Sequence, residues 1–330
     1  DDYRWLINTY LRYTELQQSV TTFGIKFFKY INPITKRVHS SYSQIKKTGR
    51  ISSKNANLQN IPSNKEYRMA FDSPKGYKIV NADYSGQESI ILVNKSLDSD
   101  LLEFYKSGGG DMHSYVASKL FPELAKLSLS DIKKYHKDKR QIAKAANFAL
   151  AYGGTGFTIA KNLGIPKSQG DRVYIAYFKA FPGLKRYFKR CKLIAMRDKL
   201  IVMDKHTNRK YYFPHVAEMK HLRRTNDYTE YNKLKGKLER ASLNYPIQGC
   251  AGSMTKLATI YIRAYLIEHN AFDKFQITNL VHDEINMEAK EEHTEECVRV
   301  MEVAMKKAAD VWCRTIRMNA EAVVSDYWAH

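Results

Sequence analysis

Cysteine is scarce in this chain. The four present, Cys191, Cys250, Cys297 and Cys313, fall at spacings that match neither a zinc site nor a disulfide framework. Long apolar runs are missing as well. The longest stripe, Met254, Leu257, Ala258, Tyr261, Ile262, Tyr265 and Leu266, keeps helical spacing and is interrupted by Lys256 and Arg263, which marks a core helix and not a membrane span. No signal peptide, internal repeat or low-complexity tract is visible, so a reducing, intracellular setting is expected, the cytoplasm first and an organelle as the alternative. Acidic residues are few: 34 Asp and Glu face 54 Lys and Arg, for a net charge of +20. Such an excess predicts an electropositive surface suited to a polyanion.

What is present is a foldable chain. Hydrophobic residues make up 44%, which argues against disorder, and 330 residues exceed a usual single core. The cations cluster locally. Residues 133 to 144 hold six Lys or Arg against one Asp, and residues 220 to 240 hold seven against three acidic residues. Contacts from such clusters grip a phosphate backbone without reading sequence and weaken as salt rises.

Three short stretches carry chemistry. The first, Asp83-Tyr84-Ser85-Gly86-Gln87-Glu88, follows the strand-like run Tyr77 to Ala82, so Asp83 lies at a strand end. The third, Val281-His282-Asp283-Glu284, separates two runs of strand character and reads as a hairpin with its carboxylates at the turn. Either acidic turn alone is an ordinary solvated turn. Between them, Arg140, Lys144, Phe148 and Tyr152 recur every fourth residue. At 3.6 residues per turn each step drifts only about 40° around a helix, so one face carries two cations, a ring and a phenol before Gly153-Gly154 ends it. Cations suit nucleotide phosphates and a ring suits a sugar or base. Phosphoryl transfer to a nucleic acid needs two hard cations roughly 3.5 to 4 Å apart, held by few carboxylates; Asp83 and Asp283 are the candidate pair.

Together and in this order the stretches resemble motifs A, B and C of family A, polymerase I-like, DNA polymerases. The resemblance extends to Thr48-Gly49-Arg50-Ile51-Ser52-Ser53 with Asn57 to Pro62, and to Glu239-Arg240, Asn244 and Gln248-Gly249. It implies two Mg²⁺ on Asp83, Asp283 and the Tyr84 carbonyl, and a supporting acid in Glu284. Arg140 and Lys144 become triphosphate ligands, with Lys144 also a proton donor to the leaving pyrophosphate. Phe148 sits beside the incoming sugar, Glu88 with Tyr152 excludes ribonucleotides, and His282 contacts the primer end. Arg50, Arg68, Arg240, Asn244 and Gln248 become contacts to primer-template DNA, the amides checking pair shape in the minor groove.

The fold so implied is α+β with a right-hand plan: an antiparallel palm sheet, an inserted helical fingers lobe and a thumb largely absent. Residues 1–70 would hold the thumb's end, with a helix from Trp5 to Gln18 and a two-stranded pattern around Asn32-Pro33, and the entry to the palm. Residues 71–94 and 241–330 would form the palm, and 95–240 the fingers. Ser107 to Gly110 reads as a hinge loop before a helix opened by Asp111. Asp1 in place of Met, and the domains normally upstream in this family, read as a fragment; a processivity factor or exonuclease domain is left open. Departures are Ser89-Ile90 where the family continues Leu-Arg, Gln141, and the flexible Gly154-Thr155-Gly156. The alternatives are a single-subunit RNA polymerase, which typically carries His-Asp-Ser at motif C and lacks Glu88, and a catalytically silent nucleic-acid-binding domain.

Overall fold

Side-chain alternation along the strand Tyr77–Tyr84 sorts its residues between two unlike environments. Val80, Ala82 and Tyr84 are buried on one face and pair across the ladder with Met287, Ile285 and Ala320, all buried. Asn81 and Asp83 point to the other face. The computed structural model describes residues 2–329 of the chain.

Four antiparallel strands make the main sheet, in the order Phe275–Val281, Glu284–Lys290, Tyr77–Tyr84 and Ala320–Ser325. The two acidic runs are thus neighbours: Asn81 pairs with Asn286 and Ala82 with Ile285. The helix Thr294–Trp312 and the long helix Tyr228–Glu268 cover the apolar face, and the Tyr84 hydroxyl donates to the Met305 carbonyl at 3.0 Å.

Between the two central strands the chain is helical from Ser99 to Arg224, broken by the hairpin Leu200–Asp204 with Arg209–Tyr212. This stretch does not own a separate core. Val80, Ile132, Leu150, Phe181, Met254 and Met305 belong to one continuous apolar cluster. Nor does the chain break at 240/241, which lies inside the long helix; Pro246 removes one N–H from its ladder without ending it. A second cluster, Ala56, Leu58, Ile61, Val281 and Trp328, lies under the N-terminal segment with Phe23, Phe27, Tyr67 and Phe71.

Three local expectations are revised. The first helix spans Asp2–Phe23, longer than Trp5 to Gln18. Around Asn32-Pro33 only a single bridge, Ile31 to Val38, forms. There the Asn32 side chain accepts the N–H groups of Ile34 and Thr35 at 2.9 and 3.0 Å, spending the backbone on a turn; the ladder starts at Ser41–Ser43 against Ser52–Lys54. The motif B helix runs Lys137–Ala151, so Tyr152 caps it and Gly153, at φ +73°, turns the chain away. Asp111 does open the helix Met112–Leu120, its carboxylate accepting Ser114 N–H at 2.9 Å.

Candidate functional site

Asp83 lies one residue beyond the last rung between the two central strands, and His282-Asp283 form the two-residue turn of the adjoining hairpin. Such turns place residues in the left-handed region, and His282 is there at φ +56°. Its carbonyl accepts the Thr255 hydroxyl at 3.2 Å, tying the turn to the long helix. Burial, then the charges of Asp283 and Glu284, push the Asp83 carboxyl up to about 7. Asp283 is raised too, chiefly by burial. One Asp83 oxygen, Oδ1, is buried without a hydrogen-bond partner.

These observations fit a hard cation. Two carboxylates that resist ionising together, one with an orphaned oxygen, gain most from a divalent ion. Among the described residues no three His, Cys, Asp or Glu side chains form a closed cage, so water and substrate phosphates must complete the coordination of any ion bound there.

Glu284 turns away from the solvent. It is 3% exposed, and Asn81, Asn286 (2.8 Å) and the Trp328 indole N–H all donate to its Oε1. Arg68 approaches Oε2 at 3.4 Å and lies 4.2 Å from the Trp328 ring centroid. Arg68, expected on DNA, is itself 6% exposed. Its guanidinium is enclosed because the carboxylate and the indole face offer a buried cation two partners.

Motif B presents its face as the spacing predicts, up to Phe148. Phe148 is 52% exposed, with the Lys144 ammonium 6.0 Å from its ring. Arg140 is engaged: its Nε and Nη2 each donate to Asp111 at 2.7 Å, holding that carboxyl well below its ordinary range. Sequence reasoning passed over His113. It stands 5.8 Å ring to ring from Phe148, with Nδ1 3.2 Å from Asn147, and burial with the nearby cations lowers its pKa. The available signal was a histidine two residues past a helix-opening Asp after a glycine-rich loop.

A third group closes the site. Tyr152 donates to Glu88 Oε2 at 2.6 Å, and Arg50 donates to Glu88 Oε1. Arg50 is carried by a loop lying on the long helix so closely that a Cβ on Gly252 would come within 2.7 Å of the Gly49 carbonyl. Arg209, also unforeseen, lies beside Gly49 of this loop and is fixed by the long helix, donating to the Gly249 carbonyl at 2.8 Å and the Ser253 hydroxyl at 2.7 Å.

The sequence profile of DNA polymerase family A matches residues 2–330. The chain belongs to that family. DNA polymerase I of Pseudomonas aeruginosa is 29% identical over 323 residues, covering 96% of this chain and 32% of the relative. That of Rhizobium leguminosarum is 33% identical over 284 residues, covering 84% and 26%. Among solved structures, the POL domain of Pol1 from M. smegmatis, in complex with DNA primer-template and dNTP, superposes with a TM-score of 0.80 at 26% identity, covering 94% of this chain and 52% of that one. The chain therefore spans about a third or less of these curated relatives' length.

As a family A member the chain has its remaining candidates on the long helix. Arg240, Asn244 and Gln248 recur at four-residue steps and so share one face. Arg240 is exposed and Asn244 and Gln248 half-buried, with Asn244 Oδ1 unpartnered. Gly153 lets the motif B turn meet this helix: a Cβ there would stand 3.3 Å from Arg240 Cα. No described helix is long and apolar enough to cross a membrane.

Proposed function

We propose that this chain is the catalytic portion of a template-directed DNA polymerase, adding dNTPs to a primer 3′-end and releasing pyrophosphate. The observation that carries this reading is the Asp83 and Asp283 pair at one end of the two central strands, with Asp83 Oδ1 buried and unpartnered. Residues 71–94 and 241–330 act as palm, 95–240 as fingers and 1–70 as the end of a thumb and palm entry.

In the reaction the primer 3′-oxygen bonds to the α-phosphorus, the bond to the bridging oxygen breaks, and the hydroxyl proton is lost. Asp83, Asp283 and the Tyr84 carbonyl would hold two Mg²⁺, which supply charge neutralisation and lower the hydroxyl's pKa. Lys144 and Arg140 hold the triphosphate, Arg140 after exchanging Asp111 for phosphate, and Lys144 is placed to protonate pyrophosphate. Glu88, fixed by Arg50 and Tyr152, fills the space beneath the sugar's 2′ position while Phe148 lies against the ring. His282 faces the primer end, and Arg240, Asn244 and Gln248 follow the minor groove. Arg68 supports Glu284 rather than the duplex.

The direct test is extension of a primer-template by the 330-residue chain with dNTPs and, separately, with NTPs. Extension confined to dNTPs supports the reading. Extension with NTPs alone points to RNA synthesis, and duplex binding with no extension points to a binding domain.

A further inference from the structure

The face of the main sheet that carries Asp83 also carries a row of buried amides. Asn81, Asn286 and Asn279 stand side by side on three adjacent strands, paired by register as Asn81 with Asn286 and Asn286 with Asn279. They are 4%, 2% and 8% exposed. Burying three amides in a sheet face costs stability unless each is bonded, and these are. Asn81 Nδ2 donates to Asn286 Oδ1 at 2.7 Å and also to Glu284. Asn286 Nδ2 donates to Glu284 at 2.8 Å. Asn279 Oδ1 accepts the Tyr42 hydroxyl at 2.5 Å, on the segment that leads to Arg50.

The Asn81 and Asn286 bonds converge on one carboxylate. Glu284 immediately follows Asp283, and its Oε1 takes three donors: Asn81 from the neighbouring strand, Asn286 two residues along its own strand, and the Trp328 indole N–H. Trp328 is held in turn by Phe71, 5.7 Å away edge to face, and by Arg68. A side chain so held cannot change rotamer without leaving several buried polar groups unpaired. The backbone of the turn that presents Asp283 is anchored on one side by this carboxylate and on the other by Thr255 at the His282 carbonyl.

We propose that Asn81, Asn286 and Trp328 are positioning residues for metal-dependent catalysis, acting through Glu284 to hold the Asp283 turn against Asp83. They touch neither substrate nor metal. The proposal rests on the metal-site reading above and deepens it, adding a buried shell that fixes the ligand geometry.

The test uses the 330-residue chain and Mn²⁺ alone as probe, with free Mn²⁺ followed by electron paramagnetic resonance. Trp328→Phe removes the indole N–H and keeps a ring against Phe71 and Arg68. Asn286→Ser keeps a small polar side chain too short to reach Glu284, and serves if the first variant does not fold. Each should weaken Mn²⁺ binding and raise the Mg²⁺ requirement of primer extension by roughly ten-fold or more, with the Kd for primer-template unchanged by anisotropy. Combined with Glu284→Gln, the effects should be less than additive, since all act through one carboxylate. A folded Trp328→Phe or Asn286→Ser chain that binds Mn²⁺ like wild type, or effects that add to those of Glu284→Gln, would overturn the proposal. Asp283→Ala is the control that separates the two readings: if it leaves Mn²⁺ binding intact, the metal site itself is misassigned.

Discussion

The Tyr152 hydroxyl reaches across 64 residues of sequence to bond Glu88 at 2.6 Å. The contact joins the cap of one helix to the first turn of another, and with Arg50 on the second oxygen it leaves Glu88 little freedom. Glu88→Ala should therefore raise NTP use relative to dNTP by orders of magnitude in kcat/KM. Tyr152→Phe, which removes one of the two bonds on the carboxylate and leaves that from Arg50, should raise it less. Competing single-turnover assays read both ratios, and unchanged sugar discrimination in Glu88→Ala would rule out the steric role.

Asp83→Ala or Asp283→Ala should abolish extension while primer-template binding survives, because each removes a metal ligand and not a main DNA contact. Fluorescence anisotropy and turnover should separate. Near wild-type turnover with Mg²⁺ in either variant would mean that the ions are held elsewhere.

The Asp83 carboxyl gives a pH signature. Its folded value of about 7 lies above the ordinary 3.8, so between these values the folded chain holds a proton that the unfolded chain has lost. Stability from this group is present below about pH 4 and declines as pH rises to about 7. Asp83→Asn, which cannot ionise, should then raise Tm relative to wild type at pH 8 and leave it near wild type at pH 4. Equal differences at both values would show that Asp83 is not under that electrostatic load. Mg²⁺ added to wild type at pH 8 should recover part of the same gain.

Phe148 tests the register of the motif B helix. A dideoxynucleotide lacks the 3′-hydroxyl that bonds its own phosphates, and a phenyl ring offers no replacement. Phe148→Tyr places a hydroxyl there, and one charge-assisted hydrogen bond of about 1.5 to 3 kcal/mol gives a roughly ten- to hundred-fold gain in relative ddNTP use. The ratio of kcat/KM for ddNTP and dNTP on one template measures it. Equal ratios would turn Phe148 away from the sugar.

Much of this site was legible because its residues follow backbone periods. Arg140, Lys144 and Phe148 share a face by helical arithmetic, and Asp83 and Asp283 stand at strand ends that alternation reveals. Contacts between residues far apart in sequence left no such trace. Arg68 reads as a basic residue near a DNA-binding signature, and nothing local tells that Glu284 and Trp328 enclose it. Arg140 reads as a free phosphate ligand, while Asp111 already occupies it. The division at 240/241 leaves no local mark, because the long helix Tyr228–Glu268 runs straight through it.

The meeting of Gly49 with Gly252 has a consequence for any attempt to diversify this enzyme. A clash between two side chains can be relieved by shortening one, but a methyl on Gly252 would meet the Gly49 carbonyl itself, where there is nothing to shorten. At Gly49 the obstruction is the Arg209 side chain, which can move, yet the backbone stands at φ +80° and strains any other residue. Random libraries should thus lose both positions for different reasons. Variants at Gly252 should stay silent whatever accompanies them, and those at Gly49 should recover only in part when Arg209 is trimmed.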